Sequence, residues 1–189
     1  MDKVFNLLIV GVGGQGTILA SNIVTQAAMN SGLDAKKSEI HGMSQRGGAV
    51  FSHVRFGDKV YSPVIAKGKV DVLLSLEEME TLRWTEFLNK DSRLIVLNNR
   101  ILPANTAEYP QGLTEKIKSQ FNNVISIDPD EYTKKLGNAK YLNVFLLGVL
   151  SNYVKLPEES WKDAIQSLVP NGTFDKNYEA FLIGKEDYK

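Results

Sequence analysis

A glycine turn between an apolar strand and a helix constrains this chain more than any other feature. Residues Leu7–Val10 are continuously apolar, and Gly-Val-Gly-Gly-Gln-Gly follows at once over residues 11–16. A short apolar run that ends in glycine predicts a strand buried on both faces of a parallel sheet. Because glycine has no Cβ, such a turn brings backbone N–H groups close to an anion at the start of the next helix. The sequence therefore predicts an α/β fold.

The rest of the chain extends this pattern. Apolar runs predict strands at 4–10, 70–76, 94–97 and 124–127. Partial apolar alternation predicts another at 50–56, and a second strand in chain order is expected at about 35–40. Helical periodicity is present at 14–31, 77–88, 113–121, 129–136, 139–154, 157–168 and 174–185. Gly57-Asp58 predicts a hairpin turn before Val60-Tyr61, which adds an antiparallel component. We therefore expect a three-layer, Rossmann-like α/β domain with a mixed, mainly parallel sheet, spanning 1–189 and ending in a helical portion from about 129.

Composition narrows the function classes. The 22 basic and 22 acidic residues cancel, so no global field attracts nucleic acid or an anionic membrane. The chain has no cysteine and two histidines, which excludes cysteine-ligated iron–sulfur clusters and disfavours a zinc site. The N-terminus shows no signal-peptide pattern, and the apolar segment at 141–154 is too short and too polar to span a bilayer. These features predict a cytoplasmic protein that binds neither membrane nor nucleic acid.

The glycine turn alone leaves several functions open. Its Gly11-x-Gly13-x-x-Gly16 spacing fits a dinucleotide fingerprint, and Glu39 near the end of the second predicted strand suits a ribose hydroxyl. A free-standing NAD-binding oxidoreductase is therefore one alternative, and a stand-alone module for a nucleotide or acyl-CoA is another. Adenylating enzymes begin similarly but commonly use cysteine or structural zinc, which this chain lacks. Tight strand-to-helix packing without a ligand explains the turn as well.

Three segments taken together are more specific than the turn. The glycine turn, the loop His41-Gly42-Met43-Ser44-Gln45-Arg46-Gly47-Gly48 and the segment Leu97–Pro103 occur in this order at these separations. The combination resembles the gamma-type subunits of 2-oxoacid:ferredoxin oxidoreductases, and most of all the beta subunits of those acting on indolepyruvate. The segments at 61–65, 71–75 and 143–148 are similar to the same family. The resemblance covers nearly the whole chain.

The resemblance implies that this chain is one subunit of an enzyme complex whose cofactors are bound by another subunit. Such complexes oxidatively decarboxylate a 2-oxoacid, here indolepyruvate or a related one, form the acyl-CoA and reduce ferredoxin. Thiamine diphosphate, magnesium and iron–sulfur clusters are expected on a partner subunit, and coenzyme A is a co-substrate. This chain is then expected to carry no cofactor, metal or catalytic residue, to be inert alone, and to be compatible with a homodimer when isolated.

We expect two polar loops to face an active-site cleft that this chain shares with its partner subunit, and to bind an anion there. Backbone N–H groups of the turn and the guanidinium of Arg46 suit phosphate or carboxylate. The candidates are Gly13, Gly14, Gln15, Gly16, Thr17, His41, Ser44, Gln45, Arg46, Gly47 and Gly48. The simpler alternatives are a surface ion pair for Arg46 and an ordinary loop position for His41.

Four further features have simpler structural interpretations. His53 is expected to pack or hydrogen-bond on its strand. Arg100 follows an apolar strand and is placed equally well in the cleft or in solvent. Glu77, Glu78 and Glu80 are expected to complement a helix dipole. The nearly all-apolar helix at 139–154 is expected in the core, with a subunit interface as the alternative.

Overall fold

The fold is built on one mixed six-stranded sheet. The computed structural model describes residues 4–41, 48–103 and 107–189, with His41 described by its backbone alone. The strands are β1 (Phe5–Val12), β2 (Asp34–His41), β3 (Ala49–Gly57), β4 (Val72–Ser75), β5 (Arg93–Leu97) and β6 (Val124–Ile127). Their order across the sheet is β2-β3-β1-β4-β5-β6. Only β3 runs against the others, so β1, β4, β5 and β6 form a continuous parallel half.

Helices cover both faces of the sheet. They are α1 (Thr17–Asn30), α2 (Glu78–Arg83), α3 (Leu113–Gln120), α4 (Pro129–Leu136), α5 (Leu142–Ser151), α6 (Glu158–Leu168) and α7 (Phe174–Asp187). Leu7 and Ile9 of β1 join the apolar core under α1 and α4–α7, whereas Leu8 and Val10 join the core on the face of α2 and α3. This alternation buries β1 on both faces. The predicted three-layer, mainly parallel α/β fold with a helical C-terminal portion is confirmed.

The most apolar helix, α5, lies inside the chain's own core. All its residues from Leu142 to Leu150 are buried, and it packs against α7, α1 and α4. Glycines at the α5–α7 crossing let the two backbones touch, because a Cβ on Gly148 would overlap the carbonyl oxygen of Phe181. Of the two interpretations of the 139–154 segment, the core helix is confirmed.

The antiparallel component arises from a different pairing than the sequence predicts. No strand follows Gly57 between residues 58 and 71, so the hairpin predicted at Gly57-Asp58 is wrong. The antiparallel partner of β3 is β2, paired from Asp34 opposite Gly57 to His41 opposite Val50. The chain after Gly57 is held by side chains instead, because Asp34 accepts from the N–H of Val60 and Arg55 donates to the carbonyl of Ser62. These contacts compete with strand pairing.

Two predicted helices are shorter than their periodicity indicates. The helix predicted at 77–88 is α2 followed by a 3₁₀ turn at Thr85–Phe87, and the one predicted at 139–154 begins with a 3₁₀ turn at Ala139–Tyr141. Asn138 caps this second turn by accepting from the N–H of Lys140. The turn thereby sets the direction from which α5 enters the core.

Candidate functional site

A crevice opens where the connections of the sheet diverge. The chain leaves β1 through α1 toward β2 on one side, and leaves β4 through α2 toward β5 on the other. Ligands of open α/β sheets bind outside the carboxyl ends of strands at such a switch point. The crevice there has a volume of about 390 Å³ and is lined by Gly14, Gln15, Gly16, Leu19, Leu76, Leu97, Asn99, Ala139, Lys140, Leu142 and Asn143.

The side chain of Gln15 closes the floor between β1 and β4. Its Oε1 accepts from the N–H of Val12 at 2.8 Å, and its Nε2 donates to the carbonyl of Leu76 at 2.6 Å. A Cβ on Gly11 would lie 2.8 Å from this Oε1, so the absence of a side chain at Gly11 makes room for the side chain of Gln15. One N–H and one lone pair of Gln15 are therefore used within the chain. Because the amide has a second N–H and a second lone pair, the role of Gln15 in anion binding stays a prediction.

Gly16 joins the turn to α5. Its φ of +81° is in the left-handed region that favours glycine, and it directly precedes α1. A Cβ there would also collide with the buried side chain of Asn143, whose Nδ2 lies 3.4 Å from the carbonyl oxygen of Gly16. The two constraints make the third glycine of the fingerprint a packing position.

The rim of the crevice favours negative charge. Among the described residues, no side chain caps the N-terminus of α1, and the first turn of α1 contains no acid. Unpaired N–H groups at such an end attract anions by roughly 0.3–1 kcal/mol per charge at exposed sites. Lys140 also lines the crevice, and within the described part of the chain its ammonium forms no ion pair. The crevice therefore combines backbone N–H groups and an ammonium with apolar walls from Leu19, Leu76, Leu97 and Leu142.

The two predicted loops meet at one described contact. The N–H of Gly13 donates to the carbonyl oxygen of Gly48 at 2.9 Å. Thr17 is buried, with its hydroxyl unpaired among the described residues, and does not line the crevice. The remaining predicted site residues of the second loop, Ser44, Gln45, Arg46 and Gly47, lie outside the described residues, as does the side chain of His41.

Three polar wall residues, Asn99, Lys140 and Asn143, were not predicted as site residues. They come from segments far from the glycine turn in the sequence, so no local motif identifies them as its partners. The segments containing Asn99 and Asn143 did carry part of the family resemblance, and this was the available signal.

The acids at the start of α2 are buried rather than exposed. Glu77 and Glu78 are almost inaccessible to solvent, and Glu80 is 4% exposed. Glu77 caps α2 through the N–H of Glu80 and accepts from the hydroxyl of Tyr109 at 2.6 Å. Burial, together with this bond to Glu77, raises the pKa of Tyr109. A favourable interaction with the dipole of α2 is thus only part of the role of these acids, because Glu77 also holds the segment that contains Tyr109.

Arg100 pairs with Glu78, a placement that matches neither of the two expectations for that arginine. The Nε of Arg100 donates to Glu78 Oε2 at 2.8 Å, and the hydroxyl of Thr114 donates to Glu78 Oε1. The arginine is neither a free solvated group nor one of the residues lining the crevice.

Glu39 is poorly placed for a ribose. Strand β3 separates β2 from β1, so Glu39 does not end a strand next to the glycine turn. Its Oε1 accepts from the hydroxyl of Ser21 and from Lys37. This geometry disfavours the dinucleotide interpretation.

His53 packs and hydrogen-bonds as predicted. It is buried on β3, its Nδ1 accepts from the N–H of Ile65, and its ring contacts Phe51 and Phe87. Burial, followed by the charge of Arg55, lowers its pKa.

The donor set of this chain does not fit an iron–sulfur cluster. Thiolates are the usual ligands of such clusters, and the sequence contains none. Within residues 4–41, 48–103 and 107–189, no three histidine, aspartate or glutamate side chains converge as a metal site. In the same part of the chain, no helix combines the length and apolar character needed to cross a membrane.

Sequence comparison identifies relatives of nearly equal length. The profile described as "Pyruvate ferredoxin/flavodoxin oxidoreductase" matches residues 6–186. An indolepyruvate oxidoreductase subunit IorB of Archaeoglobus fulgidus is 37% identical over 95% of this chain and 92% of its own length. The IorB subunit of Thermococcus kodakarensis is also 37% identical, over 96% and 95%. A 2-oxoglutarate synthase subunit KorC of Methanothermobacter marburgensis is 28% identical over 94% and 93%.

Solved structures share the fold. The gamma subunit of a keto/oxoacid ferredoxin oxidoreductase from Geobacter sulfurreducens superimposes with a TM-score of 0.74 at 24% identity, covering 97% of this chain and 98% of that one. A 2-oxoglutarate:ferredoxin oxidoreductase from Magnetococcus marinus, with 2-oxoglutarate, coenzyme A and succinyl-CoA bound, gives a TM-score of 0.77 at 17% identity. It covers all of this chain but 31% of that polypeptide.

These matches confirm the resemblance drawn from the three sequence segments. The profile spans most of the chain, and the sequence relatives match over nearly their whole length. The chain belongs to the pyruvate ferredoxin/flavodoxin oxidoreductase family.

Proposed function

We propose that this chain is the cofactor-free subunit of an indolepyruvate:ferredoxin oxidoreductase and that its crevice binds the anionic end of a reactant. The single observation that carries the proposal is the crevice at the carboxyl ends of β1 and β4. The N-terminus of α1, which no described side chain caps, lies at this crevice, and Lys140 lines it as well. The relatives named for indolepyruvate, at 37% identity, support the substrate class.

The crevice suits a ligand with one charged end and one apolar part. The charged end is a carboxylate of the 2-oxoacid or a phosphate of coenzyme A, because both present oxygens to N–H donors and an ammonium. Four leucines supply the apolar wall. The residues described here offer no nucleophile or paired acid and base at this place, so binding and orientation are the chain's contribution.

The reactive groups are then supplied by the partner subunit. Thiamine diphosphate provides the decarboxylation chemistry when bound there, and iron–sulfur clusters pass electrons to ferredoxin. A chain without thiolates cannot hold such clusters. The proposal therefore makes this chain one subunit of a hetero-oligomer that acts in the cytoplasm, and it is compatible with a homodimer when the chain is isolated.

The subunit role is tested by reconstitution with the large subunit from the same organism. Co-expression is expected to yield a stable complex that oxidises indolepyruvate with coenzyme A and ferredoxin. The isolated chain is expected to give no turnover. Turnover by this chain alone, or a fully active large subunit without it, would contradict the proposal.

The crevice is tested in that complex by charge reversal at Lys140. We expect Lys140→Glu to raise the KM for coenzyme A or for indolepyruvate at least about tenfold, because a favourable charge becomes a repulsive one. The reactant whose KM changes identifies the anion. Lys118→Glu on α3 is the matched control, since this exposed lysine lies outside the crevice. Equal KM values for both variants would contradict the crevice assignment.

A further inference from the structure

The segment that follows β5 contains two asparagines with different surroundings. Asn98 is engaged with β6, because its Nδ2 donates to the hydroxyl oxygen of Ser126 at 2.8 Å and its N–H donates to the carbonyl of Ile127. Asn99 lines the crevice, and within the described part of the chain its carboxamide forms no hydrogen bond. One asparagine therefore completes the sheet, while its neighbour presents an unused amide at the site.

The backbone around Asn99 is fixed by α2. The carbonyl oxygen of Asn99 accepts from the N–H of Glu78 at 3.0 Å. On its C-terminal side, Arg100 pairs with the same glutamate at 2.8 Å, and the N–H of Ile101 donates to Glu77 Oε1 at 3.3 Å. Both carboxylates are buried, so the cost of desolvating them is offset only while these partners remain in place. An unused amide held on a rigid support is what a preorganised ligand contact requires.

We infer that the carboxamide of Asn99 contacts the crevice ligand and that the Glu78–Arg100 pair positions it. This inference rests on the proposed function and adds a recognition group to the same site. The shared ligand chemistry is an anionic oxygen, from a phosphate of coenzyme A or the carboxylate of the 2-oxoacid. The NH₂ group of Asn99 donates to that oxygen alongside the N–H groups of α1 and Lys140.

The ligand contact is tested in the reconstituted complex with Asn99→Asp. This change keeps the shape and places a negative charge beside the anion. We expect the KM for one of the two reactants to rise at least about tenfold while kcat changes little, because a hydrogen bond to a charged group is lost. Asn122→Asp is the charge-matched control on an exposed position just before β6. Indistinguishable KM values for the two variants would overturn the inference.

The positioning role is tested by a double-mutant cycle. Glu78→Gln is expected to raise the same KM when Asn99 is present and to leave it unchanged in the Asn99→Ala background, because its effect acts through that amide. Equal factors in both backgrounds would show a merely structural role. Arg100→Lys, which keeps the charge but loses the Nε donor geometry, repeats the cycle if Glu78→Gln lowers the yield.

Lys140→Glu separates this inference from the proposed function. If Lys140→Glu raises a KM and Asn99→Asp does not, Asn99 is not a ligand contact and the crevice assignment stands. If neither variant changes either KM, both the inference and the crevice assignment are wrong.

Discussion

Glycine has different consequences at the α5–α7 crossing and in the glycine turn. At the crossing, Gly148 and Gly184 let two helices meet backbone to backbone. In the turn, Gly11 and Gly16 make room for the side chains of Gln15 and Asn143. The N-terminus of α1 then lies beside a crevice, with no cap from any described side chain. The crossing supplies stability, whereas the turn keeps backbone donors available. The same residue type therefore indicates function only where polar groups remain unpaired around it.

The largest effect is expected at the crossing. Gly148→Ala places a methyl group against the carbonyl oxygen of Phe181, and a backbone atom cannot move aside without separating the helices. Overpacking of this kind costs about 3 kcal/mol or more, which lowers Tm by about 10 °C for a chain of this size. Thermal unfolding measures it. Gln166→Ala, on an exposed position of α6, is the control and should leave Tm nearly unchanged. A Tm decrease no larger than that of the control would show that the crossing is looser than described.

A smaller effect distinguishes two glycines within the turn. Both Gly14 and Gly16 have positive φ, so alanine at either position costs about 1–2 kcal/mol of backbone strain. Gly16→Ala also displaces Asn143, whereas a Cβ on Gly14 meets nothing within 4 Å. We expect Gly16→Ala to be the more destabilising in urea unfolding. Adding Asn143→Ala should remove the difference, and failure to do so would contradict the Gly16–Asn143 contact.

The smallest effect concerns His53 and appears on acidification. Because its pKa in the folded chain is lowered, the unfolded chain takes up the proton first as pH falls below about 6.5. The stability that neutral His53 supplies is therefore present above that pH and is lost below it, by at most about 1.4 kcal/mol per pH unit. The excess Tm of the wild type over His53→Asn should shrink between pH 7 and pH 5. A constant difference would mean that His53 titrates equally in both states.

The sequence was sufficient where structure is decided locally. Strand β1, the glycine turn and α1 follow from apolar pattern and glycine spacing, and the interior position of α5 follows from its all-apolar composition. The position of β3 between β1 and β2 could not be predicted this way, because the pairing depends on contacts between residues distant in sequence. The hairpin signal at Gly57-Asp58 was overridden by the side chains of Asp34 and Arg55.

The candidate site was only half predictable for the same reason. The glycine turn carries a local signal, but Lys140 and Asn143 reach it only after α5 packs against α1. The sequence shows that α2 begins with acidic residues. It does not show whether their carboxylates face solvent or accept hydrogen bonds from Tyr109 and Arg100. Likewise, the sequence shows Gln15 as a polar residue of the turn, but it does not show that its amide joins β1 to the residue after β4.

Hydrogen–deuterium exchange of the reconstituted complex tests the central claim most directly. The N–H groups in the first turn of α1 have no intrahelical acceptor and should exchange quickly without reactants, whereas those of α5 and α7 should exchange slowly. We predict that saturating coenzyme A or indolepyruvate slows exchange in peptides spanning residues 14–19 and leaves the α5–α7 crossing unchanged. Unaltered exchange at residues 14–19 with both reactants bound to an active complex would contradict the account.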